Sequence, residues 1–280
     1  MGQHREFCHE TLERMERSIA MSKFEQNPYI GARTFETDDS EFFFGREREA
    51  FDLLSLVISE RLVLFYAQSG AGKSSLVNTR LIPGLEQENE YKILPVGRLR
   101  RDEGAAAAVG NIYVHNLINS LTKRGIDEKV LSKMTLSGFL GGLDFDEQDG
   151  YFYSETPSRK LAENEEGISW KYVLIIDQFE ELFTTYQEEW EKREDFFRQL
   201  AQAMEDFPHL WIVLVMREDY IAYLDPYAYL LRAGCEYAII CSDWNRKQPS
   251  PQWKDRQRKA DGHTRKKPVK NSSGASVTYW

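Results

Sequence analysis

Cysteine is scarce in this chain. Only Cys8, Cys235 and Cys241 occur in 280 residues, and none has metal-ligand spacing. That argues against a disulfide scaffold or a thiolate zinc site and suits a reducing cytoplasm. His4, His9, His115, His209 and His263 form no spaced cluster, so a histidine metal centre or a histidine-based triad has little support. No apolar run approaches the roughly 20 residues that span a bilayer. The polar opening Met1-Gly2-Gln3-His4-Arg5 does not read as a signal peptide, and Glu6 stands where a myristoylation signal needs Ser or Thr. The expectation is a soluble cytoplasmic protein. Positive charge is also short in the body of the chain. Residues 233–280 hold ten Lys/Arg against four Asp/Glu, so the overall charge of −9 leaves −15 on residues 1–232. An acidic body argues against a large nucleic-acid footprint, and the basic tail is read as a solvated segment before it is read as a nucleic-acid arm. No internal repeat is visible.

What is present is an alternation of buried strands and amphipathic helices. Residues 1–26 are charged, with Phe7, Leu12, Met15, Ile19 and Met21 at loosely helical spacing, and form a lead segment. Residues 27–232 read as one domain. Ala50, Leu53, Leu54, Val57 and Ile58 share one helical face just before the apolar run Leu62–Tyr66. A helix is expected from Ser74 to Ile82, stopped by Pro83-Gly84. A short strand near Tyr91–Gly97 carries Pro95, which points to a sheet edge or bulge. Ile112, Val114, Leu117, Ile118 and Leu121 mark another helix. From Gly141 to Gly167 the chain turns polar and acidic and reads as a long surface excursion. The continuous runs Tyr172–Ile176 and Trp211–Met216 fit parallel strands covered on both faces. Between them a helix over Glu188–Met204 is expected to bury Trp190, Phe197, Leu200, Ala201 and Met204. Phe42-Phe43-Phe44 is read as core packing. The fold class is therefore α/β, with a mostly parallel central sheet flanked by helices. Residues 233–280 form a tail poor in aliphatic side chains, expected to lack order.

One stretch carries the chemistry. Ala67-Gln68-Ser69-Gly70-Ala71-Gly72-Lys73-Ser74 follows directly on the run Leu62–Tyr66 and leads into a helix. Small residues let the backbone curl until successive N–H groups of Ser69, Gly70, Ala71, Gly72 and Ser75 point inward at phosphate oxygens. Lys73 adds a charge for the β- and γ-phosphates, and the Ser74 hydroxyl is a ligand for Mg²⁺. The first position is Ala67 where the stricter pattern has Gly; an extended Ala there leaves the site intact. Asp177 closes the strand Tyr172–Ile176. Because ligands gather at the carboxyl ends of strands in such sheets, it can meet the Mg²⁺ held by Ser74. Glu180 and Glu181 follow, either to orient an attacking water or to cap the next helix. Arg217 ends the next strand on the same edge, where a guanidinium can sense a γ-phosphate or pair with Glu218, Asp219 or Asp177. Arg46, after Gly45, is placed to face a base or ribose or to form a surface ion pair. The Asn-Lys-x-Asp element that reads guanine is absent, which favours ATP.

These motifs, in this order, resemble the STAND class of P-loop NTPases, and within it the bacterial novel STAND NTPase type 1 group. The resemblance runs from about Asn27 to about Leu231. It rests on Phe42–Glu49, Ser69–Leu76, Leu94-Pro95-Val96-Gly97-Arg98, Ile175-Ile176-Asp177-Gln178-Phe179-Glu180-Glu181-Leu182-Phe183, and Val215–Tyr220. It implies an AAA-like fold, ATP and Mg²⁺ binding, slow hydrolysis, and a signalling switch between ADP and ATP states. The switch is coupled to self-association or to sensor and effector modules. It also implies a place near the base for Arg46 and a sensor role for Arg217. Such proteins continue into a strand, a lid and repeats, whereas here Leu230-Leu231-Arg232 gives way to the basic tail. That change is read as truncation by a lost reading frame, with a genuine short form as the alternative. The alternative to a weak ATPase is a nucleotide-binding interaction module with negligible turnover.

Overall fold

The computed structural model describes residues 33–88, 90–100, 109–148, 150–157, 170–232, 238–241 and 277–279. The lead segment 1–26 lies outside them. A 3-10 turn at Thr37–Phe42 precedes helix α1 (Glu47–Ser59), which feeds strand β1 (Leu62–Ala67). Beyond the loop come α2 (Lys73–Leu76), a π-helical stretch Val77–Leu81 and α3 (Ile82–Gln87). Pro83 therefore does not stop the helix. It sits in the first turn of α3, and the wide turn before it passes the Ile82 N–H back to the Val77 carbonyl. A π turn of this kind relieves the crowding a proline imposes on the preceding turn.

Strand β2 (Tyr91–Ile93) is short, and α4 (Ile112–Leu121), α5 (Glu128–Leu131) and α6 (Leu136–Gly141) follow. The stretch expected as a surface excursion contains a hairpin, β3 (Leu143–Asp146) paired antiparallel with β4 (Gly150–Tyr153). Leu143 is buried, and Gly142 lies so close to Tyr153 that a Cβ would meet its ring at 2.3 Å. Residues 158–169 of that stretch lie outside the described residues. Then come β5 (Lys171–Ile176), α7 (Glu181–Thr184), α8 (Lys192–Asp206), β6 (Leu210–Arg217), a 3-10 segment Glu218–Tyr227 and α9 (Ala228–Arg232). Of the tail, the described residues are β7 (Ala238–Cys241) and β8 (Val277–Tyr279).

The main sheet has the order β2-β5-β6-β1-β7-β8, and every pairing is parallel except β7 with β8. β2 is at the edge, as Pro95 demands. The carboxyl ends of β1, β5 and β6 consequently share one rim. Alternate residues face two separate cores. Leu62, Leu64, Leu174, Ile176, Ile212 and Leu214 pack under α4, α6 and α8. Val63, Phe65, Val173, Ile175, Val213 and Val215 pack under α1 and the helical stretch after the loop. Burial on both faces is why these strands are apolar without alternation. Of the expected core positions, Ala201 and Phe42 are only partly buried, and two more lie outside the core. Trp190 is 59 % exposed and Phe44 72 % exposed, while their neighbours Phe197 and Phe43 turn inward. Among the described residues no helix is long and apolar enough to cross a membrane.

Candidate functional site

The loop after β1 has the shape its residues call for. Gly70 and Gly72 both sit at φ +74°, the left-handed region that a Cβ disfavours. Ala71 N–H closes a turn onto Gln68 O at 3.2 Å, and Leu76 N–H bonds Gly72 O at 2.9 Å, which starts α2. Ala67 is buried and still part of β1, paired with Arg217. An extended, strand-bound alanine needs no glycine, so the departure at the first position costs the loop nothing.

The Lys73 ammonium folds back over this loop and donates to Ala67 O at 3.0 Å and Gln68 O at 2.9 Å. Burial lowers its pKa from the ordinary lysine value, and the nearby Glu180 and Asp177 carboxylates oppose that shift. Lys73 from one strand end and Asp177 and Glu180 from another thus share one electrostatic neighbourhood. Ser74 is half-buried at the start of α2. Ser75 is buried, and its hydroxyl accepts the Phe35 N–H at 3.1 Å, so its side chain ties the entering chain to the loop helix.

Asp177 is almost fully buried at the tip of β5. One carboxylate oxygen accepts the Gln178 N–H at 2.8 Å and the other lies 3.2 Å from the Arg98 guanidinium. Gln178 follows at φ +55°, a conformation that costs a non-glycine residue about 1–2 kcal/mol. The outlier immediately follows the aspartate, as strained backbone tends to at functional sites. Phe179 N–H then bonds Val215 O at 2.8 Å, which ties this turn to β6.

The two glutamates part company. Glu180 accepts the Arg217 backbone N–H at 3.2 Å and faces Lys73. Glu181 accepts the backbone N–H groups of Leu99 at 3.3 Å and Arg100 at 3.1 Å, and burial raises its pKa. Arg217 has its backbone at the rim, but its guanidinium pairs with Asp219 at 2.5 Å and lies over the Tyr220 ring. Arg46 donates to Ala71 O at 2.9 Å, a contact with the loop itself. The loop, Asp177, Glu180 and the backbone of Arg217 lie at one rim, whereas the Glu181 carboxylate is held by the Leu99–Arg100 backbone, the Ser75 hydroxyl by Phe35 and the Arg217 guanidinium by Asp219. Arg98 was not among the expected site residues. It belongs to the Leu94–Arg98 string, but no periodicity or spacing ties it to Asp177.

Mg²⁺ commonly takes one or two protein oxygens and completes its shell with water and phosphate. Ser74, half-buried at the head of α2, and Asp177, buried at the end of β5, are oxygen donors of the kind that pattern uses. Among the described residues no group of three or more His, Cys, Asp or Glu side chains is arranged to hold a metal.

A glycine loop with its lysine at the end of β1, facing a buried aspartate two strands away across an all-parallel rim, defines a P-loop NTPase. The family is equally plain. The chain belongs to the novel STAND NTPase 1 family, whose model matches residues 28–248. No curated protein matches the chain. Among solved structures it is similar to the Walker-type ATPase paby2304 of Pyrococcus abyssi. Identity is 16 %, TM-score 0.42, and the match covers 71 % of this chain and 53 % of that one. The chain thus spans about half the length of that structure.

Proposed function

We propose that this chain binds ATP with Mg²⁺ and hydrolyses it slowly, as the core of a regulatory switch. The observation that supports the reading is geometric: the loop with Lys73 follows β1 and Asp177 follows β5 on the same parallel rim, where Glu180 accepts the Arg217 N–H at the end of β6. Bound phosphates would draw Lys73 off its two loop carbonyls and take the N–H groups of Ser69 to Ser75. Ser74 and Asp177 would hold Mg²⁺, which supplies charge neutralisation of the β- and γ-phosphates. Glu180 is the better candidate to orient the attacking water, because Glu181 is engaged by two backbone N–H groups of the Leu99–Arg100 strap. Arg46, bonded to the loop, supports a place near the base or ribose. Arg217 reaches the γ-phosphate only by leaving Asp219, which makes it a residue that responds to the nucleotide. Adenine is favoured by the missing guanine-reading element.

One observation favours the second reading, a binding module with negligible turnover. Glu180 accepts the Arg217 N–H in addition to facing the lysine, so its carboxylate is only partly available to a water. Phosphate release separates the two. Wild type is expected to release phosphate slowly at saturating Mg-ATP. Glu180→Gln should lose at least about tenfold of that rate while still binding nucleotide, and Lys73→Ala should lose binding. Glu181→Gln should retain turnover. No release by wild type that binds ATP would establish the binding module.

A further inference from the structure

Arg98 occupies the position at Asp177 that a cation would claim. Its guanidinium is 3.2 Å from the Asp177 oxygen that does not bond Gln178, and that carboxylate is 5 % exposed. The arginine side chain is 36 % exposed, but the backbone that carries it is fixed. Its backbone N–H is held by Ser120 Oγ of α4 at 2.9 Å. The next two residues are pinned as well. Leu99 and Arg100 donate to Glu181, and Leu99 O accepts from Asn116 Nδ2 at 2.9 Å. On the other side, Gly97 N–H bonds Ile175 O at 2.7 Å and Gly97 O accepts the Asp177 N–H at 3.1 Å. Residues 97–100 are thus a strap fastened to β5, α4 and α7, and it presents one guanidinium to the aspartate.

We propose that Arg98 is a positioning residue that competes with Mg²⁺ for Asp177, and so sets how much Mg²⁺ the site needs to take up nucleotide. This rests on the reading of the rim as a Mg-nucleotide site. Without metal, the guanidinium is the cation in direct contact with this buried carboxylate, beside the more distant charge of Lys73. Mg²⁺ held at Asp177 would place a second positive charge beside the same carboxylate, so the metal and the Arg98 guanidinium would repel each other and weaken each other's hold on it. The backbone bonds of the strap to Glu181 and α4 do not depend on the guanidinium, so the competition is confined to the Arg98 side chain. The competition involves Asp177 and the metal, whereas Lys73 and the loop amides bind phosphate without either. The arginine should therefore act on the Mg²⁺ requirement and leave metal-free affinity alone.

The test is a Mg²⁺ titration of fluorescent ATP-analogue binding, with metal-free affinity measured in EDTA. It compares wild type, Arg98→Ala, Arg98→Gln and the charge-matched control Arg124→Ala, whose arginine pairs with the distant Asp146. Losing one charge-assisted contact should lower the half-saturating Mg²⁺ concentration about three- to tenfold in both Arg98 variants, with metal-free affinity and Arg124→Ala unchanged. Arg98→Gln removes the charge but keeps the three side-chain carbons and a polar end, and serves if Arg98→Ala does not fold. An unchanged or raised Mg²⁺ requirement in a folded Arg98 variant overturns the competition while the nucleotide site stands. Absence of nucleotide binding by wild type overturns the site itself, and the competition with it.

Discussion

Glu181 reads in sequence as a group that orients a water or caps a helix, and in the fold it is held by two backbone N–H groups. Its carboxylate accepts two strap N–H groups, yet burial raises its pKa, so the folded protein prefers it protonated relative to the unfolded chain. The sign follows by linkage. This preference stabilises the fold fully below the ordinary glutamate value and is lost as pH rises through the raised value. Gln never ionises and keeps a carbonyl acceptor. Glu181→Gln is therefore expected to flatten the fall in stability across that window, as read by urea unfolding at a series of pH values. A slope equal to that of wild type would show that Glu181 does not titrate in this way. Glu180 and Glu181 are one residue apart, and nothing in their spacing tells them apart. Their difference comes from which neighbour each meets across the sheet, β6 for one and the strap for the other.

At the scale of elements, local signals were legible and long-range ones were not. The loop at Ala67–Ser75 declares itself because small residues, lysine and hydroxyls lie within one turn of chain, and Asp177 because it ends an unbroken apolar run. Trp190 and Phe44 were misplaced because helical spacing says which residues share a face but not whether another element covers it. The π stretch escaped because proline at a helix start and proline at a helix stop look alike in sequence. Arg98 escaped because its partner is on another strand. The hairpin β3–β4 carries Leu143, Phe145, Tyr151, Phe152 and Tyr153, but acidic residues and glycines around these short strands masked the signal, and its geometry makes its own prediction. Gly142→Ala would push a methyl into the Tyr153 ring and against Ser154 O at 2.8 Å. A loss of about 1–3 kcal/mol in chemical denaturation is expected. Gly72→Ala meets open space but strains a φ of +74°, so it should cost about 1–2 kcal/mol. Equal stability of either variant with wild type would contradict these local geometries.

For the whole molecule, one sheet separates two cores and holds both. Leu174 and Ile175 are adjacent in β5, each fully buried, and face opposite sides. Leu174→Ala and Ile175→Ala should each cost about 2–5 kcal/mol and lower the same single thermal transition. Two resolved transitions would mean that the layers unfold independently. The same sheet brings three strand ends to one rim, and that convergence places the loop, Asp177 and Glu180 where they would act as the proposed site. Its central claim is most directly tested by calorimetric titration of the purified chain with ATP in Mg²⁺ buffer. The account predicts one ATP bound per chain, with binding abolished by Lys73→Ala. Either no binding by wild type, or equal binding by Lys73→Ala, would contradict it.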